Sequence, residues 1–479
     1  MVIALDVGTS SARAALYDAR GRAVEGRFHQ VPYAPTTTPD GGVEHDPRVL
    51  LDAATACVDA VARAARHDDV RAVAVTTFWH GLLGFDDHDR PVTPVLTWAD
   101  SRAAADAALL RGALDEDALH ARTGCHLHAS YWPAKLRWLA RERPADVARV
   151  RRWGSIGEHL ELTLFGESAT SMSMASGTGL LDQDALRWDR EALAAAGVEP
   201  ERLFPLAREG GRRGLRAPWA GRWPALRSVP WWPAIGDGAA SNIGSDCVDP
   251  GRVALNLGTS AALRVVTTAA PAPPRGLWRY RVDRRRSLLG GATSEGGNVY
   301  AWCRDVLRLP DEAAVERELA ARAPDAHGLT VLPFLAGERA PGWRADRRAT
   351  ISGLSLDTTA LDIVQAALEA VALRLALVYA LLAPHAAPDH LVVASGGAVS
   401  RSPVVAQMLA DALGRPIHAS PESEATGRGA ALLALEALGA LPDLAAAGGA
   451  LGRVFTPDPA HRARYRDALE RHRRLDERV

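Results

Sequence analysis

Residues 2–18 read VIALDVGTSSARAALYD, and residues 252–268 read RVALNLGTSAALRVVTT. Each is an apolar run, a Gly-Thr-Ser and a second apolar run, the pattern of two buried strands joined by a tight turn. Asp6 of the first copy becomes Asn256 in the second. Such a turn exposes successive backbone N–H groups and a hydroxyl, and its glycine lets the backbone come close to a ligand. Gly8, Thr9 and Ser10 in one half, with Gly258 and Thr259 in the other, therefore form two anion cradles. Their recurrence in similar half-chains predicts two hairpins facing each other across a cleft.

Around the first hairpin the pattern predicts strands over 2–7, 12–17 and 23–28, a helix over 47–65 and a strand at VRAVAVTT. RPVTPVLTW continues an α/β pattern, and residues 101–151 read as mostly helical, broken by TGCHLHASYWP. The Trp-, Pro- and Arg-rich residues 218–233 read as an irregular surface excursion. From residue 251 the strand-turn-strand design restarts. It leads through a connector, AAPAPPRG, to a strand at GLTVLPFL, long helices over 362–382, and the strand HLVVASGGA with its helix. Two copies of one α/β unit are implied, divided into residues 1–246 and 247–479, because a single core stops growing at about 250–300 residues and the chain has 479. The tail HRARYRDALERHRRLDERV mixes both charge signs at helical spacing and reads as a solvated terminal helix.

Composition narrows the function. Net charge is −1 with no long block of one sign, so no footprint for nucleic acid exists. The four cysteines form no C-x-x-C pair and read as core residues of a protein in a reducing compartment, the cytoplasm being the default. ALEAVALRLALVYALLA is interrupted by Glu369 and Arg374, which disfavours a membrane span, and no targeting segment is evident. Lys135 is the sole lysine and follows Ala134, which excludes a P-loop and leaves the protein-kinase lysine without a candidate. No G-x-G-x-x-G follows a strand.

Two facing cradles suit a nucleotide's phosphates. A triphosphate brings Mg²⁺, which needs only one or two carboxylates. Asp6 can serve it, while an acid at position 256 would only repel the phosphates.

Both turns, with GVEHDP, WADSR, IGDGAASNIGSD, GERAP and SGGAVSRSP, resemble the FGGY carbohydrate kinases, and the resemblance runs from residue 2 to about 434. TISGLSLDTTALDIVQAALE is similar to the family's second signature. SYWPAKLRWL is similar to its first, with Trp132 departing from the usual small residue or proline. The resemblance implies a duplicated actin-like, ribonuclease H-like ATPase fold with an interdomain cleft, sugar held mainly by the first domain and ATP by the second. It implies that Asp237 is the catalytic base, the alternative being an aspartate that caps the helix beginning near Ala239. It carries the sugar-facing roles to Trp79, His80, Trp98, Asp100 and Arg102. Gly297 and Ala301 fall at nucleotide-lining positions, and Gly396, Gly397 and Arg401 in the adenosine segment.

Several clusters read as structural. CHLH at 125–128 is not a metal site, and DDHD at 86–89 is a hairpin tip. Glu338 and Arg339 fit an ion pair bracing the cleft wall as well as a functional role.

The expected activity is ATP-dependent phosphorylation of a small sugar or sugar acid. D-gluconate leads, because LTWADSRA, RTGCHLH and LAGERAPGW are most similar to bacterial gluconokinases; Arg102 offers a cation for a carboxylate, but the same residue type occurs in branches acting on neutral sugars, so charge alone does not choose. Xylulokinase or another pentulose or polyol kinase is the alternative. A nucleotide-switched protein or a silent sugar-binding regulator stands outside the class. Partners are the sugar and ATP/ADP, without nucleic acid or membrane, and a homodimer is left open.

Overall fold

The computed structural model describes residues 1–65, 69–208, 210–269 and 272–479. Residues 270 and 271 of the proline-rich connector lie outside them. Two sheets organise the molecule. The first runs, edge to edge, Trp231–Gly236, Ala72–Thr77, Val2–Val7, Ser11–Tyr17 and Ala23–Pro32. The second runs Trp278–Arg281, Ser287–Thr293, Ala261–Thr267, Arg252–Leu257, Leu391–Ser395, Ile417–Ala419 and Val454–Phe455.

The quoted segments occupy the same place in each. Val2–Val7 pairs antiparallel with Ser11–Tyr17 and parallel with Ala72–Thr77. Arg252–Leu257 pairs antiparallel with Ala261–Thr267 and parallel with Leu391–Ser395. Asp6 sits opposite Arg13 and Thr76, Asn256 opposite Ala262 and Ser395. Every residue of Val2–Val7 is buried, as continuous apolar runs require when helices cover both faces of a sheet. The helix Pro47–Ala64 packs against the first hairpin, and Ala360–Leu382 against Ala261–Thr267 and Ser287–Thr293.

Ala360–Leu382 starts with a reciprocal cap in which Thr359 and Asp362 each accept the other's backbone N–H. Ala360–His385 is the one helix among the described residues long and apolar enough to cross a membrane by length and composition, and most of it is buried in the protein. Its charges are matched inside the fold. Arg374 pairs with Glu338 and with Asp476 at 3.1 Å, and Glu369 accepts from Gln365 Nε2 at 2.8 Å.

A second connection runs from the C-terminal half into the N-terminal one. The helix Ala425–Ala437 packs on Val2–Val7 and Ala72–Thr77 and crosses the helix Asp237–Gly244. At that crossing a Cβ on Gly244 would lie 1.7 Å from the Ala425 carbonyl oxygen, and one on Gly429 1.8 Å from that of Ala240. Only paired glycines allow the two backbones to touch.

The structure corrects two expectations. Residues 218–233 are not an irregular excursion. They hold the helix Ala217–Arg222 and the start of an edge strand, Trp231–Gly236, with Trp223, Leu226 and Trp231 buried. Pro233 disguised that strand, and it sits where the register shifts between Trp232 and Ile235, a place an edge strand tolerates proline. The terminal helix Pro459–Arg478 is not wholly solvated. Tyr465, Ala468 and His472 are buried on one face, and Asp476 reaches Arg344 at 2.5 Å. The other elements lie close to their predicted bounds, the third strand extending to Pro32 and residues 101–151 containing four helices. DDHD is a turn in which Asp86 Oδ1 accepts from the His88 and Arg90 N–H groups at 2.8 and 2.9 Å. All four cysteines are free and buried.

Candidate active site

Each Gly-Thr-Ser turn is closed by one backbone bond, Gly8 N–H to Ser11 O and Gly258 N–H to Ser260 O, both at 3.0 Å. Both turns line a single cavity of about 300 Å³. Asp6, Gly8, Thr9, Ser10, Gly258 and Thr259 meet there with Asp237, Trp79, His80 and Trp98. A larger cavity, about 500 Å³, contains none of these residues.

The two acids differ in setting. Asp6 is 7% exposed, and its Oδ1 is buried without a hydrogen-bond partner. Burial lifts its carboxyl to about 7, with Arg13 opposing and Asp237 adding to the rise. Asn256 is spoken for, donating from Nδ2 to Ser395 Oγ at 3.2 Å. Asp237 is the first residue of the helix Asp237–Gly244, so that helix begins two residues before the expected Ala239. Its Oδ1 accepts the Gly238 N–H at 2.8 Å, and the residue lines the cavity. Burial raises its carboxyl above the ordinary value, against the pull of Arg264 and of the Gly238 and Trp79 backbone.

Trp79 fixes the wall beside this acid. Its Nε1 donates to Ser173 O at 2.9 Å, and its ring presses so closely on Gly236 that a Cβ there would lie 1.9 Å from Cε2. His80 adopts φ 67° and its Nδ1 lies 2.5 Å from Gly177 O. Burial and Arg339 push its imidazole well below the ordinary value, so the ring is neutral. Lys135, the sole lysine, is fully buried and donates to His80 O at 2.8 Å and Thr97 O at 2.7 Å. It thereby ties the segment carrying His80 to the one carrying Trp98. Trp98 Nε1 in turn donates to Thr9 Oγ1 at 3.2 Å, joining that wall to the first cradle.

Seven of the residues singled out from sequence stand outside this lining. Arg102 is consumed by carboxylates, its Nη2 lying 2.5 Å from Asp100 Oδ2 and 2.7 Å from Glu44 Oε2, with Trp138 stacked below at 4.4 Å. Asp100 also accepts the Val43 N–H at 3.2 Å. The pair braces the loop behind the cavity. Gly297 donates its N–H to Gly258 O at 2.8 Å and supports the second cradle from outside. Ala301 follows on the same helix, Gly297–Val306. Gly396 has φ 101°, and a Cβ there would meet Leu257 O at 2.5 Å. The Arg401 guanidinium folds over Gly397.

Sequence reasoning passed over Arg13, Arg264, Trp278 and Tyr280, all of which line the cavity. A period-2 count along Ala261–Thr267 from the cradle would have flagged Arg264. Glu338 and Arg339 do not pair with each other. Glu338 is held by Arg344 at 2.7 Å and by Arg374, whereas Arg339 faces the cavity. His126 and His128 are wall residues, the first stacked on His120 at 3.9 Å and the second 3.1 Å from Ser130 Oγ.

Comparison with known proteins agrees with this geometry. Residues 1–244 match the N-terminal domain and residues 253–438 the C-terminal domain of the FGGY family of carbohydrate kinases. The gluconokinase of Bacillus subtilis (strain 168) is 28% identical over 473 residues, covering 96% of this chain and 91% of its own. Among solved structures, the xylulose kinase and the gluconate kinase of Lactobacillus acidophilus superpose with TM-scores of 0.91 and 0.90. Each is 27% identical, covering 99% of this chain and 97% of its own. Two sheets that share a five-strand core order, each presenting the same turn to a shared cavity, form the duplicated actin-like ATPase fold, and the chain is a member of the FGGY family of ATP-dependent carbohydrate kinases.

Proposed function

We propose that this kinase transfers the γ-phosphate of ATP to the 6-hydroxyl of D-gluconate, giving 6-phosphogluconate and ADP. The observation that supports the transfer is the meeting of both cradles, Asp6 and Asp237 in one cavity. The choice of acceptor is supported by the similarity to gluconokinase over nearly the whole chain.

In this reading the two turns hold phosphate oxygens through their backbone N–H groups and the Thr9 and Thr259 hydroxyls. Asp237 accepts the acceptor's hydroxyl proton as the new O–P bond forms. The bond from γ-phosphorus to the bridging oxygen breaks, and its electrons leave with ADP. Arg264 packs on Gly238, its Cζ 3.3 Å from where a Cβ there would stand, and faces the transferring group beside the base. Asp6 fits a hard divalent cation, because it offers a buried, unpartnered carboxylate oxygen next to the phosphate turn. Asp6 would hold Mg²⁺ directly or through water, and the ion would supply charge neutralisation on the β- and γ-phosphate oxygens. Closure of the lobes excludes water that would otherwise take the phosphoryl group.

The base works only when ionised. Because burial raises Asp237, kcat/KM falls as pH drops through a value above that of an ordinary carboxylate. Arg264 holds that value down, so Arg264→Gln moves the acid limb to higher pH. A pH–rate profile checks the shift, and an unmoved limb would detach Arg264 from the base.

Xylulose is the second reading, favoured by the fold shared with a xylulose kinase. A coupled ADP-release assay over gluconate, xylulose, ribulose and glycerol decides the acceptor. Gluconate should give the highest kcat/KM. Binding without acceptor-stimulated ADP release would instead point to a silent regulator.

A further inference from the structure

Arg339 sits in the cavity with its guanidinium between two indoles, 5.4 Å from the Trp98 ring centroid and 5.8 Å from that of Trp343. It is 7% exposed, and its Nε is buried without a hydrogen-bond partner. Among the described residues no carboxylate pairs with it, and its sequence neighbour Glu338 is committed to Arg344 and Arg374. A buried cation left in this state is costly unless an anion enters the site.

The surroundings point the same way. The titratable groups that feel Arg339 are His80, His128, Lys135, Arg264, Tyr131, Tyr280 and Asp237. Asp237 is the only carboxylate in that set, and proton transfer claims it. Asp100, the other acid near Lys135, is neutralised by Arg102. Arg102 itself is held by two carboxylates and cannot receive a third. This part of the cavity is therefore positive, and among the described residues two of its guanidiniums, Arg339 and Arg264, have no carboxylate ion pair, Arg264 lying beside the base.

We infer that Arg339 receives the carboxylate of the acceptor and is the residue that makes this protein select sugar acids over neutral polyols. The assignment rests on the sugar-acid reading given above. A guanidinium matches a carboxylate with two parallel N–H···O bonds, and burial beside two indoles restrains the side chain so that less freedom is lost on binding. Trp98 also bonds Thr9, which links recognition of the acid to the first phosphate turn. The second anion in the site is the transferring phosphoryl group. It belongs to Arg264, which packs against Gly238 beside the base.

Steady-state kinetics of the full-length enzyme with ATP, comparing D-gluconate with the neutral isostere D-gluconamide, test the inference. The unmodified protein should prefer the acid. Arg339→Met should lower the acid-to-amide ratio of kcat/KM by about 10- to 100-fold, and Arg339→Lys should recover part of it. Arg264→Met should depress both acceptors together. Remaining turnover of gluconamide shows that a variant is folded. Should Arg339→Met not fold, Arg339→Lys carries the test, because it keeps the charge and loses the fork. Equal losses on both acceptors in the Arg339 variants would overturn the inference while the sugar-acid reading stands. An unmodified enzyme indifferent to the acceptor's charge would overturn both.

Discussion

Asp237→Asn lowers kcat for acceptor phosphorylation by about 10²- to 10⁴-fold, the range spanned by general-base catalysis, and leaves ATP binding intact. The amide has the shape of the carboxylate, and its oxygen can still accept the Gly238 N–H that holds Oδ1 at 2.8 Å. What it cannot do is take a proton from the attacking hydroxyl. Both phosphate turns remain, because neither uses Asp237 to close. Single-turnover kinetics with ATP binding followed by calorimetry separate the two effects. Near-normal turnover in this variant would remove Asp237 from its role and reduce it to a helix-start aspartate.

Gly429→Val destabilises the protein by about 3 kcal/mol, at the upper end for overpacking. Gly429 and Gly244 face each other where the helices Ala425–Ala437 and Asp237–Gly244 cross, and a Cβ on either would fall inside 2 Å of a backbone carbonyl oxygen. Backbone on both sides leaves no flexible side chain to yield. Arg428 adds a bond to Gly244 O at 2.6 Å, so parting the helices also breaks that contact. Asp237 begins one of these helices, so displacing that helix moves the base. Thermal unfolding monitored by calorimetry should show a lowered midpoint, and activity at low temperature should fall as the base shifts. An unchanged midpoint would mean the two helices separate at little cost.

Much of this was readable from residues alone, and the reason is physical. The paired strands declare themselves because they are buried on both faces, which forces largely apolar runs on either side of each Gly-Thr-Ser turn. The difference between Asp6 and Asn256 was legible too, and in the structure Asn256 is bonded to Ser395 Oγ while Asp6 Oδ1 has no partner. The partners of Arg102 and Arg339 were not legible, for the opposite reason. Each stands within two positions of an acid, Asp100 and Glu338, yet only Arg102 is paired with it. Glu44 approaches Arg102 from a distant strand, and Arg344 and Arg374 draw Glu338 away, contacts that no local pattern encodes. The return of Ala425–Ala437 to the first sheet is equally a matter of tertiary packing. Its signal was present only as unexplained glycines within a helix.

If both turns grip one ATP while Asp237 deprotonates a sugar hydroxyl, phosphoryl transfer depends on the acceptor, and phosphorus NMR of the enzyme mixed with ATP, Mg²⁺ and D-gluconate shows it. The prediction is conversion of ATP to ADP with an equal amount of a phosphomonoester that co-resonates with 6-phosphogluconate, and no conversion when the acceptor is omitted. Release of inorganic phosphate at a rate indifferent to the presence of any sugar or polyol would contradict it.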